Sequence, residues 1–328
     1  MILVIGDYYS GTGPAIVTKH YIKELPRGTE YIKSRNKAAR FFEMLFKIPK
    51  SSVLFLSGHS RQNIWAIRIG RVFGKKAAYL MHGAVEYEND INKVPDQRMA
   101  LDERDMMKRA DLILAVSRQF EAWLKIRYPQ YAGKISHVTN GIDWSMVMEN
   151  ATEDEREAEG VISVGGGMPR KCIINICKAV ELLNKRGHDI TLTVAGDKGA
   201  DSEAIASYPF VKDLGIISHE ELMREYHKNK VFVQNSVFET FGLAPIEALL
   251  SYAEVLISKE CGALSVIKKT EDMDIIKDPQ DIEEIAGKLE NLLVNENHTR
   301  LLVELDKENT SWKKRAKELS EKLKELAG

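Results

Sequence analysis

Short apolar segments recur along the chain, separated by polar stretches with helical periodicity. In the first half they are MILVIG, VLFLS, AAYLM, LILAV and ISHV, which begin at residues 1, 53, 77, 112 and 135. In the second half they are VISVG, ITLTVA, VFVQ and VLIS, which begin at residues 161, 190, 231 and 255. Several lack polar alternation, as is typical of strands buried on both faces of a parallel sheet. The pattern predicts an α/β protein.

The alternation of strands and helices occurs twice, and 328 residues suit two domains better than one. We therefore expect two Rossmann-like, doubly wound parallel-sheet domains, at 1–148 and 149–300, joined by the acidic segment 144–160. A tail over 301–328 continues one long helical pattern that begins near residue 298. Its thin leucine stripe favours a helix packed back on the protein over one lying on a membrane.

Charge divides unevenly between the two halves. Residues 1–150 contain 23 Lys and Arg against 15 Asp and Glu, whereas residues 151–328 contain 24 against 33. The basic half suggests an anionic partner, such as a nucleic acid, a membrane or a phosphorylated substrate, although the halves could also simply attract each other. No basic motif interleaved with aromatics supports nucleic acid. Three cysteines without a disulfide or zinc spacing, and no signal or membrane-spanning segment, predict a cytoplasmic protein.

Loops after the strands are where open parallel sheets bind ligands. After the first strand, Gly11 and Gly13 in GDYYSGTGP let the backbone approach a ligand and lead into a helix N-terminus. His82 directly follows the strand AAYLM, where a structural and a functional role are both open. Both loops are candidate ligand contacts.

The second domain opens with a glycine triplet followed by two cations. Gly165 and Gly166 follow a strand, and Arg170 and Lys171 stand where a helix is predicted to begin. Cations are unfavourable at that end of a helix dipole, so a bound anion would remove the conflict. Together with exposed backbone amides, they predict a diphosphate site.

The segment ETFGLAPIEAL places acids on both sides of a predicted helix start. Pro245 fits the first turn of that helix, which leaves the amides of residues 241–244 able to face a phosphate. Glu247 can accept hydrogen bonds from vicinal hydroxyls such as those of a ribose, and Glu239 precedes the turn, nearer to a sugar beyond the phosphates. Two solvated acids at a helix N-terminus would explain Glu247 alone.

These motifs resemble the retaining GT-B glycosyltransferases of glycosyltransferase family 4. ETFGLAPIEAL is similar to their E-x7-E signature with its Phe-Gly-Leu centre, and SVGGGMPRK, LTVAGDKG and VTNGID support the resemblance over most of residues 110–295. It implies a GT-B fold of two Rossmann-like domains facing a cleft, with an acceptor-side N-terminal domain and a C-terminal domain that binds a nucleotide-diphosphate sugar.

The resemblance also implies roles for individual residues. Lys171 would grip the diphosphate, Glu239 would lie beside the transferred sugar and His82 near the reacting centre. Where the family commonly has an arginine this chain has Gly166, and Arg170 is the candidate replacement; Cys172 stands where a glycine usually follows the lysine. The predicted catalytic residues are Glu239, His82, Lys171 and Arg170. The predicted donor-binding residues are Gly11, Gly13, Gly165, Gly166, Phe241, Gly242, Leu243 and Glu247.

We therefore expect a retaining glycosyltransferase that extends a saccharide or a lipid-linked glycan in cell-surface polysaccharide synthesis. No metal or other cofactor is expected, and the motif Asp272-Met273-Asp274, just before a short predicted edge strand, is not interpreted as a metal clamp. A non-catalytic nucleotide-sugar-binding protein and a GT-B epimerase are the alternatives. The cationic, aromatic segment 34–50 either contacts an anionic membrane at the inner face of the cell or buries its aromatics within its own domain.

Overall fold

The computed structural model describes residues 1–94, 97–147 and 156–328. The chain divides into two compact units. The first contains Met1–Tyr87, Pro95–Ile142 and Glu308–Gly328, and the second contains Glu88–Val94 and Asp143–Lys307. The predicted domain boundary at residues 148 and 149, and the middle of the predicted linker, lie outside the described residues.

The first unit is built on a six-stranded parallel sheet in the order β2-β1-β3-β4-β5-β6. Up to residue 142 the strands are β1 (Ile2–Ile5), β2 (Glu30–Tyr31), β3 (Val53–Ser57), β4 (Lys76–Met81), β5 (Leu112–Ala115) and β6 (Ile135–His137). The helices of this stretch are α1 (Gly13–Glu24), α2 (Lys37–Lys47), α3 (Arg61–Val72), α4 (Val85–Asn92), α5 (Gln97–Arg109) and α6 (Arg118–Arg127). Most of α4, from Glu88 onward, belongs to the second unit.

The second unit is built on another six-stranded parallel sheet, in the order β12-β11-β10-β7-β8-β9. The strands are β7 (Glu157–Val164), β8 (Thr191–Ala195), β9 (Val211–Gly215), β10 (Asn229–Gln234), β11 (Glu254–Ser258) and β12 (Ile275–Ile276). Its helices are α7 (Ile173–Lys185), α8 (Ser202–Ala206), α9 (His219–Lys228), α10 (Ala244–Leu250), α11 (Ile282–Val294) and α12 (His298–Glu304). The chain then forms α13 (Lys307–Thr310), which begins at the last residue of the second unit, and α14 (Trp312–Ala327), which belongs to the first unit.

Burial explains why the apolar segments become strands. Every residue of β1, β3 and β11 is buried, and so are five of the six residues of β4. Strands covered on both faces need no polar alternation. The predicted α/β class with two parallel sheets is therefore confirmed.

The C-terminal tail differs from its prediction. The single long helix expected from residue 298 is wrong: the chain forms α12, α13 and α14, because Leu305 leaves the helical backbone and Ser311 caps a new helix by accepting the N–H of Lys314. The predicted packing of the tail against the protein is confirmed, since α14 buries Leu319 and Leu323 completely. Trp312 packs edge-to-face on Tyr21 with the ring centroids 5.3 Å apart.

Candidate functional site

The strand order identifies the edge at which a ligand is expected. In the second sheet the chain moves outward from β7 through β8 to β9 and then returns to place β10 on the other side of β7. Loops that leave the carboxyl ends of two such strands diverge and form a crevice. The loop after β7 contains Arg170 and Lys171, and the loop after β10 contains Glu239. Topology therefore brings together residues that are 68 and 69 positions apart.

A largely buried carboxylate lies at the centre of this edge. Glu239 Oε2 accepts a hydrogen bond from Lys171 Nζ at 2.5 Å and from Arg170 Nη1 at 3.0 Å, and the three side chains are only 11–15% exposed. Burial alone would raise the pKa of the Glu239 carboxyl, but the charges of Lys171 and Arg170 outweigh it and lower the pKa to about 2. Glu239 is therefore ionised at neutral pH. Its other oxygen, Oε1, accepts no hydrogen bond from the described part of the chain.

Arg170 has more polar partners than Lys171. Its guanidinium also donates to the Phe238 carbonyl at 3.2 Å and lies 3.6 Å from Glu88, while its backbone N–H donates to Asn92 Oδ1 at 3.1 Å. Burial acts to lower the pKa of Arg170, but the charges of Glu239 and Glu88 raise it, so the cation is held firmly. Through these contacts Arg170 holds the Glu239 side chain in position. Within the described ranges, the Lys171 ammonium has Glu239 as its only hydrogen-bond partner.

The backbone before α7 differs from the prediction. The two cations do not begin the helix, because residues 169–171 form a single 3-10 turn and Cys172 follows in the left-handed conformation at φ 48°. The helix itself begins at Ile173. The predicted conflict with the helix dipole is therefore absent, and Glu239 supplies the anion that neutralises Arg170 and Lys171.

The amides of the glycine triplet are occupied. Gly165 and Gly166 both donate to the Ala195 carbonyl, at 2.8 and 3.1 Å, and the next N–H donates to Asp197 O at 3.1 Å. A Cβ on Gly166 would lie 2.0 Å from Asp197 O, and one on Gly165 would lie 2.5 Å from Lys171 Cγ. The expected exposed amides are therefore not found at these glycines. They pack the loop after β7 against the loop after β8 and make room for the Lys171 stem.

The turn before α10 keeps the predicted arrangement. Gly242 adopts φ 82°, and Pro245 occupies the first turn of the helix. The Phe241 carbonyl accepts a hydrogen bond from the Ala263 N–H at 2.6 Å, and this bond holds the turn in place. In the described ranges, the N–H groups of residues 241–244 have no acceptor, and residues 242–244 are half-buried rather than sealed off. These amides can therefore receive an anion.

Glu247 has a partner that the sequence analysis missed. Its Oε1 lies 3.2 Å from Nε2 of His219, the first residue of α9. This hydrogen bond is the largest cause that raises the pKa of His219, opposed by burial. A signal was present: Ser218 and Glu221 form a capping box that marks a helix start after a strand, and His219 is the first residue inside it.

His82 is part of a hydroxyl chain in the first unit. Its Nε2 lies 2.8 Å from Ser57 Oγ, which lies 2.7 Å from Thr18 Oγ1, and Thr18 donates its proton to Pro14 O at 2.7 Å. With Thr18 donating to Pro14, Ser57 donates to Thr18 and accepts from His82, and this arrangement assigns the His82 proton to Nε2. Burial, and then the neighbouring His59, lowers the pKa of His82 to about 3. The imidazole is neutral at physiological pH.

Two predicted glycines and the Asp272-Met273-Asp274 motif complete the set of predicted positions. Gly11 and Gly13 are exposed in the first unit, with open space where a Cβ would be, and Gly11 adopts φ 69°. Asp274 is fully buried and accepts hydrogen bonds from Asn297 at 2.8 Å and Arg300 at 2.7 Å. Its carboxylate is thus engaged by protein groups, and the predicted edge strand that follows it, β12, is confirmed.

Comparisons with known proteins add a family and a fold. The family described as "Glycosyl transferases group 1" matches residues 149–319. HepE from Anabaena in complex with UDP and glucose is similar in structure, with a TM-score of 0.71 and 13% identity over 99% of this chain and 100% of that one. No curated protein matches the sequence.

Two further solved structures are similar over nearly their whole length. Sucrose-phosphate synthase from Thermosynechococcus elongatus has a TM-score of 0.70 and 18% identity, over 99% of this chain and 98% of that one. UDP-forming α,α-trehalose-phosphate synthase from Burkholderia xenovorans, in complex with glucose-6-phosphate, has a TM-score of 0.69 and 12% identity, over 98% and 99%. Identities this low show the fold alone, which is the GT-B fold of two α/β domains, as predicted.

Proposed function

Because the chain belongs to the glycosyl transferases group 1 family, we propose that it is a retaining glycosyltransferase of the family 4 type. Its donor is a nucleoside-diphosphate sugar, and its acceptor is a saccharide or a lipid-linked glycan in cell-surface polysaccharide synthesis. One of the similar structures is in complex with UDP and another is named as UDP-forming, so uridine diphosphate is the first nucleotide to test. We place the enzyme in the cytoplasm, in peripheral contact with the inner face of the cell membrane.

One observation supports this proposal most strongly. An ionised, largely buried Glu239 and its partner Lys171 adjoin a turn whose amides, at residues 241–244, lack acceptors in the described part of the chain. An ammonium has three donors, so Lys171 can bind a diphosphate oxygen while it keeps Glu239. Amides and cation together would stabilise the charge that develops on the leaving diphosphate.

The other residues take roles that follow from their contacts. Glu247 accepts hydrogen bonds from the donor ribose, in an orientation that His219 supports. Glu239 uses its open Oε1 to accept from a hydroxyl of the transferred sugar. Arg170 is a positioning residue rather than a direct ligand of the diphosphate, because Glu239, Glu88 and a carbonyl already engage it.

The reaction we propose is a substitution on one face of the sugar. The acceptor oxygen bonds to the anomeric carbon as the bond to the diphosphate breaks, and the departing phosphate oxygen takes the acceptor's proton. His82, neutral with its proton on Nε2, serves as a hydrogen-bonding group near the reacting centre rather than as a charged acid. We propose that no metal takes part in this step.

A nucleotide panel tests the donor assignment. Thermal shifts are recorded with nucleoside diphosphates that differ in their base, since stabilisation grows with occupancy. We expect one base to stand out and Glu247→Ala to abolish its shift, while the exposed-surface control Glu203→Ala retains it. Equal shifts for all bases, or a full shift in Glu247→Ala, would contradict the ribose contact.

Product analysis separates the transferase from its alternatives. Glu239→Gln should bind the nucleotide and lose turnover by a factor of about 100 or more. The product of the wild type should keep the donor's anomeric configuration by NMR, and added chelator should not slow its formation. A free epimerised sugar would identify an epimerase, and nucleotide binding without any product would identify a non-catalytic binding protein.

A further inference from the structure

Helix α2 carries its largest apolar side chains on its outer side. Phe42, Leu45 and Phe46 expose 59%, 37% and 71% of their surfaces. The residues that the helix buries are Arg40 and Met44. A helix of a globular domain ordinarily does the reverse, with an apolar stripe towards the core and charges towards water.

Polar contacts on the inner side fix this orientation. The Glu43 carboxylate accepts the backbone N–H groups of Lys33 and Ser34, at 3.0 and 2.8 Å. Lys47 donates to the Tyr31 carbonyl at 2.8 Å, and the Asn36 side chain caps the first turn. The helix cannot roll its aromatic residues inward without breaking these bonds. The sequence left open whether the aromatics are buried within their own domain, and the structure exposes them.

The apolar surface continues onto the neighbouring helix. Phe41 contacts Trp65 of α3 edge-to-face, with the ring centroids 6.0 Å apart, and Trp65 is 43% exposed. We name this surface the α2 aromatic face. It consists of Phe41, Phe42, Leu45, Phe46 and Trp65. Contiguous exposed apolar surface of this kind marks a binding surface in soluble proteins.

Exposed cations lie on the same segment of the chain as the aromatic face. Lys33, Arg35, Lys37 and Lys50 are all exposed on the segment that contains α2. The one acid on this helix, Glu43, is held against the backbone and Lys47. The exposed charge around the aromatics is therefore positive, in agreement with the basic first half of the chain.

We infer that the α2 aromatic face docks the enzyme onto an anionic lipid bilayer. Aromatic and aliphatic side chains enter the headgroup boundary, while Lys and Arg around them meet anionic headgroups. A second copy of the chain fits less well, because a twofold interface would bring the same cations face to face. The inference deepens the membrane contact of the proposed function. Membrane docking needs no sugar donor. A negative result for docking therefore leaves sugar transfer untouched, and a negative result for sugar transfer leaves docking untouched.

Vesicle sedimentation of the full chain tests this inference. We expect binding to phosphatidylcholine vesicles that contain phosphatidylglycerol, little binding to phosphatidylcholine alone, and release by salt. Phe42→Ser with Phe46→Ser should lower the partition coefficient by about tenfold or more. The matched control is Ile216→Ser with Val294→Ser, whose side chains are 76% and 75% exposed in the second unit. It should bind like the wild type.

A charge series and a fold check complete the test. Lys37→Glu with Lys50→Glu should weaken binding by several-fold, whereas Lys178→Glu with Lys269→Glu should not. All variants should keep wild-type circular dichroism and transfer to a water-soluble acceptor. The inference is overturned if the wild type ignores anionic vesicles or if the Phe42 and Phe46 variant binds them equally well. It is also overturned if ultracentrifugation without lipid shows a dimer that this variant abolishes.

Discussion

Replacing Lys171 by methionine removes one of the two cations that neutralise a buried carboxylate. The pKa of Glu239 lies at about 2 against an ordinary value of 4.5, and at about 1.36 kcal/mol per pKa unit this difference is worth about 3 kcal/mol. Arg170 remains as a counter-charge. We therefore expect the variant to lose about 2 kcal/mol, less than the roughly 3–5 kcal/mol for a buried charge left with no partner.

The pH dependence of this loss has a defined sign. A carboxyl with a lowered pKa in the folded state stabilises the protein above its unfolded pKa, and this stabilisation disappears as pH falls through the folded value. The difference between Lys171→Met and the wild type should be full at neutral pH and shrink as pH falls from 4.5 towards 2. The double variant Lys171→Met with Glu239→Gln should lose about 1–2 kcal/mol less than the sum of the single variants.

Hydrogen exchange in increasing urea measures these quantities in the second unit alone, from peptides of β7 and β10. Lys178→Met, an exposed lysine on α7, is the control and should stay within about 0.5 kcal/mol of the wild type. A loss in Lys171→Met no larger than that of the control would refute the charge balance. So would a loss that persists undiminished after Glu239 is protonated.

Three further predictions concern other groups of the site. Gly166→Arg should destabilise the second unit and bring no gain in nucleotide affinity by calorimetry, because a Cβ at φ 54° would lie 2.0 Å from Asp197 O. A raised pKa means that His219 contributes stability below its ordinary value of 6.5 and loses it as pH rises through the raised value, so the pH slope of melting temperature should flatten in His219→Gln. For His82 the sign is opposite, because its pKa is lowered: the stability it contributes is present above pH 6.5 and is lost as pH falls towards 3. The melting temperature of His82→Gln should therefore fall less in acid than that of the wild type. Equally shallow pH slopes for the two proteins would contradict the lowered pKa of His82.

Most strands that the sequence predicted have apolar side chains on both faces, and the edge strands β6 and β12 were predicted as well. The two it missed are β2 and β9, which lie at sheet edges. β9 reads VKDLG and keeps Lys212 and Asp213 exposed, so no apolar run distinguishes it from a loop. An edge strand needs only one neighbour, and its pattern is correspondingly weak.

Sheet topology made it possible to predict which loops form the site. Rules for parallel sheets bring the loops after β7 and β10 together, and with them Lys171 and Glu239. Sequence spacing does not show which donor bonds to which acceptor. The two cations were therefore assigned to a bound ligand, and Glu239 was not predicted to be their partner. Free amides were also assigned to Gly165 and Gly166, because the loop after β8 that accepts their hydrogen bonds cannot be inferred from spacing.

Calorimetric titration of nucleotides tests most directly whether Lys171 and the amides of residues 241–244 hold a diphosphate. A nucleoside diphosphate and the matching nucleoside are titrated into the wild type and into Lys171→Met. We expect the diphosphate to bind the wild type about 100-fold more tightly than the nucleoside, and Lys171→Met to remove most of this preference while leaving nucleoside affinity unchanged. Equal affinity of both ligands for the wild type, or an unchanged preference in the variant, would contradict this expectation.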